Sequence, residues 1–476
     1  MALTKVTYSM IQGAAKSILD FGADPTGNTD STVAIQTAIN SGERYILVPS
    51  GLYNFTSLTL RDGVCLVGTS AFNSVLRCTS ATNTAMFANV SNELHNLKFI
   101  SSVPRTGGIY INVQGNGFLA QNCEFDGYYI AISVGAISDP ITVNPRVFNC
   151  AFRTSVTTLG SGAVQFLNFS NAQVANCVIT GTTVSSTQPT FGIRFQNGDT
   201  AFVTDCNVTV HGKALLVDPP VNLNCYALTV TSCVFDSAHE ISGGTPVSSA
   251  EIGSAGGVWN SRFTNCWFGL STGRNGCLII TTGSGVVDGI VFTGCEFTDN
   301  GETGLVAVGP NVKNWIVTGG HSGGNPGAGV RAAAGTTDFS IVGHTAGEIA
   351  ERGPNGTGIA LDIGAEDNFL IANNTVVGNT NFALANGATG TNGQIYNNRG
   401  YNGANPPIGL SVGASPWTYT AKSAPEQIFI VGGTVTDIEV SGSTIQNASP
   451  AVFTLAPNET MVITYSSAPN ISRKVM

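Results

Sequence analysis

The sequence predicts an all-β protein: a right-handed parallel β-helix of about 12–13 coils, with an N-terminal capping helix and a small C-terminal antiparallel β domain. Three observations predict this fold. A short motif recurs every 24–33 residues, the residues inside it alternate between apolar and mixed types, and the composition combines 58 glycines with only 10% charged residues. Such a composition suits extended β structure better than a helical bundle.

The repeat is clearest as a cysteine that returns in hexamers such as VFNCAF (147–152), VTDCNV (203–208) and FTGCEF (292–297). The residue two places after the cysteine is large and apolar, and the residue between them varies, which is the alternation of a strand with one buried face. The repeated position is occupied in turn by Thr69, Leu97, Cys123, Cys150, Cys177, Cys206, Cys233, Cys266, Cys295, Gly320, His344, Asn374 and Asn398.

Each repeat also holds a second short strand that begins near a glycine, such as GIYI at 108–111 and GIRF at 192–195. Two or three short strands per repeat without an amphipathic helix exclude leucine-rich repeats and four-stranded propeller blades. In a parallel β-helix, successive coils stack about 4.8 Å apart, so equivalent side chains lie directly above one another. We therefore expect reduced, buried thiols and stacked phenyl rings in the core. The asparagine before many of the cysteines, such as Asn122, is expected in a tight turn, bonded to its neighbours above and below.

The two ends of the coil need protection because an open end exposes unpaired strand edges. Residues 30–42 predict a capping helix with Asp30 as N-cap and Gly42 as the stop. Its expected apolar stripe consists of Val33, Ala34, Ile35, Ala38 and Ile39. At the other end, residues 403–427 read as a linker, and residues 428–476 as antiparallel strands with turns at Gly432–Gly433 and Pro457–Asn458. Strands this few make a poor core alone, which favours burial against partner copies.

Charge and apolar pattern exclude several classes of function. The formal net charge of −9 and the lack of a basic stripe argue against nucleic-acid binding. The sequence shows neither a secretion signal nor an apolar run long enough to span a membrane, so assembly in a reducing cytoplasm is expected. The eleven cysteines do not fall in the close pairs of metal or redox motifs, so no metal and no cofactor are predicted.

Three segments resemble bacteriophage tailspikes and capsule depolymerases of the pectate-lyase-like right-handed β-helix superfamily. They are TKVTYSMIQGA at 4–14, ILDFGADPTGNTDSTVAIQTAI at 18–39 and GIALDIGAEDNFLIANNTVVGN at 358–379. The resemblance implies a homotrimer on a virion tail, assembled in the host bacterial cytoplasm, that binds and usually cleaves a bacterial surface polysaccharide.

It also implies a division of the chain. Residues 1–17 would attach to a phage tail protein in place of the head domain of larger tailspikes, and residues 18–60 would hold the first strand and the capping helix. Residues 61–402 would form the β-helix with a polysaccharide groove, and residues 428–476 a trimerisation domain.

Hydrolysis of a glycosidic bond generally needs two carboxyl groups, about 5–5.5 Å apart for retention and about 6.5–9.5 Å apart for inversion. Neighbouring rungs of a coil offer such separations. The interval from Cys233 to Cys266 is the longest, at 33 residues, and so carries extra loop of the kind that builds binding faces. The predicted catalytic carboxyls are Asp218, Asp236, Glu240 and Glu251.

Each of these carboxyls has a plainer alternative. Asp218 and Asp236 could cap turns, and Glu240 and Glu251 could be solvated surface residues. Asp299 and Glu302 form a reserve pair, and the acidic residues of the lower coils rank below them, namely Glu348, Glu351, Glu366 and Asp367.

Sugar rings bind to aromatic platforms and planar polar groups. Trp267 occupies an outward position between Cys266 and Phe268, so either a saccharide or an adjacent subunit is expected to cover it. The other predicted binding residues are Tyr110, Gln165, Arg194, Gln196, His239 and Arg274. Arginines would matter most for an acidic polymer.

Two other functions stay open. A lyase would abstract a proton beside a uronate carboxylate, with candidates His211, His239, Lys213 and Arg194. A receptor-binding spike without catalysis would need only the aromatic and polar groove. A plant-type pectinase is disfavoured because the paired aspartates and Gly-His-Gly of the polygalacturonase signature are absent, and the only NTD lies at 28–30.

Overall fold

Parallel strands dominate the computed structural model, which confirms the predicted fold class: an all-β, right-handed type of solenoid with about 13 turns. The structure describes residues 15–153, 156, 158–181, 190–209, 212–238, 247–272, 274–349, 352–363, 367–388, 392–401, 407–422 and 425–475. Within these residues, no helix has the length and apolar character needed to cross a membrane.

Three parallel sheets form the wall of the solenoid. Sheet 1 contains Lys16–Ser17, Tyr45–Val48, Cys65–Gly68, Glu93–His95, Leu119–Gln121, Thr142–Val143, Arg146–Phe148, Phe169–Ala175, Gly198–Thr204, Asn224–Thr231, Gly257–Trp259, Arg262–Thr264, Val286–Asp288, Val291–Thr293, Val312–Lys313, Ile316–Thr318, Phe339–Val342, Phe369–Ala372 and Gln394–Tyr396. Sheet 2 contains Thr26–Asp30, Gly51–Phe55, Ser74–Cys78, Lys98–Ser101, Glu124–Asp126, Ala151–Arg153, Val178–Thr180, Asn207–Thr209, Val234–Asp236, Trp267–Gly269, Glu296–Thr298, His321–Gly323 and Thr345–Ala346. Sheet 3 contains Leu58–Thr59, Met86–Ala88, Ile109–Val113, Ile130–Val134, Gly162–Phe166, Phe191–Phe195, Lys213–Val217, Ala250–Ile252, Cys277–Ile280, Leu305–Val308, Ala328–Ala332, Thr357–Leu361 and Phe382–Asn386.

The apolar column predicted from the repeat lies inside sheet 2. Phe235, Phe268 and Phe297 are direct partners on adjacent strands and are fully buried. Their rings stack with centroids 5.4 Å apart at both steps. Phe268 also meets Phe263 and Phe292 of sheet 1 edge-on, with centroids 6.0 and 6.1 Å away. Offset and edge-to-face contacts of this kind fill the narrow core without voids.

The seven cysteines of the repeat, from Cys123 to Cys295 at the repeated position, lie at the corner between sheets 1 and 2. All eleven cysteines of the chain are free and buried. The Cys150 Sγ lies 3.6 Å from the Ala120 carbonyl oxygen of the preceding coil and 3.3 Å from the Phe148 oxygen of its own coil. The residue before the corner has left-handed backbone, with φ of 54° at Asn122. The Asn122 amide donates to Asn96 Oδ1 of the coil above at 3.2 Å, which confirms the expected asparagine stacking.

The capping helix runs over Thr32–Ile39 and buries Ile35, Ala38 and Ile39. Two details of the prediction were wrong. The N-cap residue is Ser31, and the Asp30 carboxylate instead accepts from the Thr32 amide at 2.8 Å. Val33 is 79% exposed, because it points away from the coil that the helix covers.

The start of the superfamily-like segment also differs from a simple strand. Ile18–Phe21 form a 3-10 helix, and the first strand is Lys16–Ser17, which pairs with Ile46 and Leu47.

The C-terminal part forms two four-stranded antiparallel sheets around its own apolar core. One contains Ile408–Leu410, Glu426–Val431, Ala451–Leu455 and Asn470–Val475, and the other contains Trp417–Thr420, Thr434–Val440, Ser443–Gln446 and Thr460–Ser467. Two of these strands lie within 403–427, where the sequence predicts only a linker. Short segments there become strands because their backbone groups pair with strands far along the chain, a pairing that local pattern does not reveal.

We expect Phe268→Ala to lower the free energy of unfolding by about 3–5 kcal/mol, because it removes a ring held by four aromatic neighbours. Equilibrium unfolding in guanidinium chloride measures the change. Val178→Ala, on the outer face of the same sheet and 45% exposed, serves as control, with an expected effect within about 0.5 kcal/mol. Equal losses in the two variants would contradict the stacked core.

His344 should make the fold sensitive to acid. It is fully buried, and burial lowers its pKa to about 4 from the ordinary 6.5. The unfolded chain therefore binds more protons than the folded chain between about pH 6.5 and 4, so stability is lost as the pH falls through that window, by about 3 kcal/mol in all.

Asparagine occupies the same position in the next two coils, where the Asn374 amide donates to Asn398 Oδ1 at 2.9 Å. We expect His344→Asn to reduce the loss of unfolding free energy between pH 7 and 4.5. An unchanged pH dependence in this variant would rule out His344 as the cause.

Candidate functional site

The corner between sheets 2 and 3 carries the long connections of the middle coils. Residues 237–249 join strand Val234–Asp236 to strand Ala250–Ile252, so the extra length predicted in this coil lies at that corner. Asp236 ends the strand before the loop and Glu251 lies in the strand after it, which places these two carboxylates on different sheets. Glu240 and His239 lie outside the described residues.

On the outer face of sheet 3, six polar residues form what we call the Arg194 patch: Gln165, Arg194, Gln196, Lys213, Asp218 and Glu251. Arg194 donates to both oxygens of Asp218, from Nε at 2.8 Å and from Nη2 at 2.6 Å. The Gln196 amide approaches the same carboxylate at 3.5 Å. This two-pronged geometry fixes the direction of the Asp218 carboxylate.

Glu251 lies one rung further along. It is the direct partner of Leu216, and Asp218 follows two residues after Leu216. The Cα atoms of Asp218 and Glu251 are therefore about 8 Å apart. They are separated by one rung of about 4.8 Å across the sheet and by two residues of about 3.3 Å each along the strand. Lys213 Nζ lies 2.8 Å from Glu251 Oε2, and both side chains keep about a fifth of their surface exposed, at 18% and 22%.

Gln165 and Gln196 lie on the outer face of sheet 3, as the sequence predicts, but both side chains are largely covered. Gln165 is the direct partner of Arg194 and donates to Ser133 Oγ at 2.9 Å. Gln165 and Gln196 are only 9% and 8% exposed, so each offers little more than an edge to a ligand.

Tyr110 points inward and is fully buried, contrary to the prediction. Its hydroxyl donates to the Asp126 carbonyl oxygen at 2.9 Å, and the Arg105 guanidinium lies 4.9 Å from the ring centroid. Here the strand buries two consecutive residues, Tyr110 and Ile111, which breaks the alternation on which the prediction rests. Burial raises the pKa of Tyr110. A surface role for this side chain is therefore excluded.

On the outer face of sheet 2, a pocket of about 410 Å³ forms the second candidate, the Trp267 pocket, lined by Asn265, Cys266, Trp267, Gly294, Glu296 and Arg352. Trp267 Nε1 donates to Thr298 Oγ1 at 2.7 Å. The indole lies against Gly269, where an added Cβ would come within 2.5 Å of Nε1. Glycine at this position is what allows the ring to lie flat on the sheet.

Arg352 covers part of this indole, with its guanidinium carbon 5.2 Å from the ring centroid. From the sequence, a saccharide or a neighbouring subunit is expected over the indole of Trp267, whereas in the structure a side chain of the same chain lies over it. The guanidinium also donates to Asp299 Oδ2 at 2.5 Å. Chiefly through that bond, and through the negative charges of Glu296 and Asp236, the pKa of Arg352 is raised. Three carboxylates therefore act on one cation beside the tryptophan.

Sequence reasoning missed Glu296, His321 and Arg352. Glu296 is the direct partner of Trp267 and of His321, and the His321 Nε2 lies 3.3 Å from Glu296 Oε2. The outward position of Glu296 in the repeat was a usable signal. Arg352 gave none, because it comes from a connection outside the repeat and reaches Asp299 across 53 residues of sequence.

The remaining candidates are more dispersed. Arg274 is exposed on the connection between sheets 2 and 3, and Glu302 is exposed one coil later. The Asp367 carboxylate accepts from the backbone amide of Asn392 at 3.0 Å, which is a structural contact. Glu351 and Glu366 lie outside the described residues. In the described part of the chain, one group of three potential metal ligands lies close together, namely Cys65, Glu93 and His95 on sheet 1. This group belongs neither to the Arg194 patch nor to the Trp267 pocket.

Residues 15–270 match the family model described as rhamnogalacturonase A/epimerase, pectate lyase-like. The chain belongs to this pectate lyase-like family. No curated protein sequence matches the chain.

Solved structures extend the likeness of this pectate lyase-like protein to the fold, at low identity. The surface adhesin PfbA of Streptococcus pneumoniae is 12% identical with a TM-score of 0.51, over 81% of this chain and 99% of the adhesin. Tailspike protein 3 of bacteriophage CBA120 is 15% identical with a TM-score of 0.49, over 85% of this chain, which spans 65% of the tailspike's length. The tailspike of E. coli bacteriophage HK620, a mutant in complex with a hexasaccharide, is 13% identical with a TM-score of 0.42, over 99% of this chain and 96% of that one.

We expect Arg352→Ala to shift the tryptophan emission to longer wavelength, because water replaces the guanidinium over Trp267. The stability should change by no more than about 1 kcal/mol, since the pair with Asp299 is partly exposed. Arg331→Ala breaks a comparable pair with Asp362 on sheet 3 and is the matched control, with unchanged emission expected. An identical spectrum for Arg352→Ala and the native protein would contradict the stacked arrangement.

Proposed function

We propose that this protein is a phage tailspike depolymerase that binds and endolytically hydrolyses a bacterial surface polysaccharide, capsular or O-antigen. The observation that carries the proposal is the placement of Asp218 and Glu251 on adjacent rungs of one outward face, with Cα atoms about 8 Å apart by strand geometry. From backbone positions this far apart, the two carboxyl groups can be held about 6.5–9.5 Å apart with a water molecule between them, which is the separation that inversion requires.

The contacts of the two carboxylates suggest different roles. Asp218 accepts from Arg194 on both oxygens, which holds the carboxylate in one orientation, as a base that activates water must be held. Glu251 is engaged at Oε2 by Lys213, which leaves Oε1 to carry a proton toward the leaving oxygen.

Binding along the polymer would use the two neighbouring surfaces. Trp267, Arg352 and Glu296 combine an aromatic edge with charged hydrogen-bonding groups, the usual composition of a sugar subsite. Asp236 acts electrostatically on Arg352 and so belongs to this subsite in the proposal, rather than to the pair that breaks the bond. Gln165, Gln196 and Arg274 would extend contacts along sheet 3. Glu240 and His239, which lie outside the described residues, stay candidates as the sequence predicts.

The setting follows from the sequence resemblance and from family membership. The family description names a rhamnogalacturonase and an epimerase and calls the family pectate lyase-like, which supports a protein that acts on a polysaccharide. We infer a homotrimer on the virion tail, held to a tail protein by residues 1–17 and closed by residues 428–476.

Incubation of the protein with purified capsule from a susceptible host tests the function. We expect new reducing ends without the ultraviolet absorption of an unsaturated uronate. Asp218→Asn and Glu251→Gln should each lower the rate by about 10²–10⁴-fold while binding of the polymer persists. Asp288→Asn removes a carboxylate from sheet 1 and is the control, with full activity expected.

Each other outcome has a definite meaning. Unsaturated uronate together with reducing ends would establish elimination, and binding with neither would establish a receptor-binding spike. Full activity in Asp218→Asn and Glu251→Gln, with loss in Asp236→Asn and Glu296→Gln, would move the chemistry to the Trp267 pocket.

A further inference from the structure

Cys65 differs from every other cysteine of this chain. The remaining ten all belong to the hydrophobic core of the solenoid, whereas Cys65 does not, although it is only 1% exposed. Its neighbour Leu66 points into the core, so the Cys65 thiol lies on the outer face of sheet 1. Metal binding is one of the roles that retain a cysteine for its reactivity rather than its packing.

Its neighbours on this face come from the next coil. Glu93 is the direct strand partner of Cys65, and His95, two residues later, points to the same face. One ligand atom of each residue, the thiol sulfur, a carboxylate oxygen and a ring nitrogen, lies within 4.8 Å of the other two. His95 Nε2 and Glu93 Oε2 are 3.0 Å apart. The parallel register therefore brings together three different metal-ligating groups that are distant in sequence.

We propose that Cys65, Glu93 and His95 bind one Zn²⁺ ion. Sulfur, imidazole nitrogen and carboxylate oxygen are the ligands zinc prefers, at about 2.3, 2.0–2.1 and 2.0–2.2 Å. Tetrahedral bonds of these lengths place ligand atoms about 3.3–3.7 Å apart, so small side-chain rotations suffice. Binding releases the thiol proton of Cys65 to solvent, and water completes the fourth position.

The surrounding charges are compatible with this site. Arg44 Nη2 lies 3.3 Å from Glu93 Oε1, the oxygen that does not face His95. The guanidinium can thus orient the carboxylate from behind while Oε2 binds the metal, the usual arrangement of an outer partner. Arg44 is 59% exposed, so its charge is well screened by water.

Zinc here would join two successive coils on sheet 1, close to the capping helix and on a different face from the Arg194 patch. The ion would cross-link strands Cys65–Gly68 and Glu93–His95 outside the apolar core, and its fourth position would stay open to water. This assignment departs from the prediction of no metal, which rests on the lack of closely paired cysteines in the sequence.

Untagged full-length protein, stripped with a chelator, can be titrated with Co²⁺ as a spectroscopic probe. We expect one Co²⁺ per chain with a thiolate-to-cobalt charge-transfer band in the near ultraviolet, bleached by Zn²⁺. Cys65→Ala should lose the band, and His95→Gln should weaken Co²⁺ binding by at least about tenfold. Cys277→Ala removes a core thiol and is the matched control, with the band retained.

Three results would overturn the proposal: no band in the native protein, a band that persists in Cys65→Ala, or equal binding in His95→Gln and the native protein. Should Cys65→Ala fail to fold, Glu93→Gln and His95→Gln still decide, because both retain the thiol. Polysaccharide cleavage is not a readout here, so the outcome is independent of the proposed function.

Discussion

In-register parallel stacking of the coils is the constraint on which the rest of the structure depends. Each strand bonds to the equivalent strand one coil away, so a residue type that suits one rung is repeated on the next. Inside, this repetition gives the phenyl column through Phe235, Phe268 and Phe297. At the corner it gives the cysteines, each with its sulfur near two backbone carbonyl oxygens, and the asparagines with left-handed backbone.

The same register determines what the outer surface can do. Charged side chains that point outward from neighbouring rungs are held about 5 Å apart at their backbones, so they form vertical pairs. Lys98 and Glu124 follow this rule as direct strand partners. Arg194 with Asp218 and Arg331 with Asp362 are diagonal pairs, one rung apart and two residues further along the strand. Carboxylates at defined spacing thus arise from the ladder without special loops. The connections between sheets 2 and 3 then decide which of these pairs lie beside a groove.

Much of the fold could be predicted from the sequence, because residues that stack on successive coils recur at a regular spacing along the chain. The coil count, the buried thiols, the helix over Thr32–Ile39 and the outward direction of Arg194 all follow from spacing and alternation. The failures have physical causes. Tyr110 lies where a strand buries two neighbours in succession, and the strands within 403–427 depend on partners far along the chain.

The contact of Arg352 with Trp267 and the cluster of Cys65, Glu93 and His95 could not be found from the sequence, because both join residues that are far apart in the chain. Arg352 reaches Trp267 from a connection outside the repeat. Cys65, Glu93 and His95 meet only once the register of sheet 1 is known. Contacts between equivalent positions of successive coils can be predicted from the repeat. Contacts made by residues outside the repeat, or between different faces of the solenoid, require a three-dimensional structure.

A sulfur anomalous difference map from crystals of the protein tests the stacking most directly. The account predicts one row of seven sulfurs, each about 5 Å from the next, from Cys123, Cys150, Cys177, Cys206, Cys233, Cys266 and Cys295. Sulfur peaks scattered over unrelated parts of the molecule would contradict the register, and with it the surface on which the carboxylates are paired.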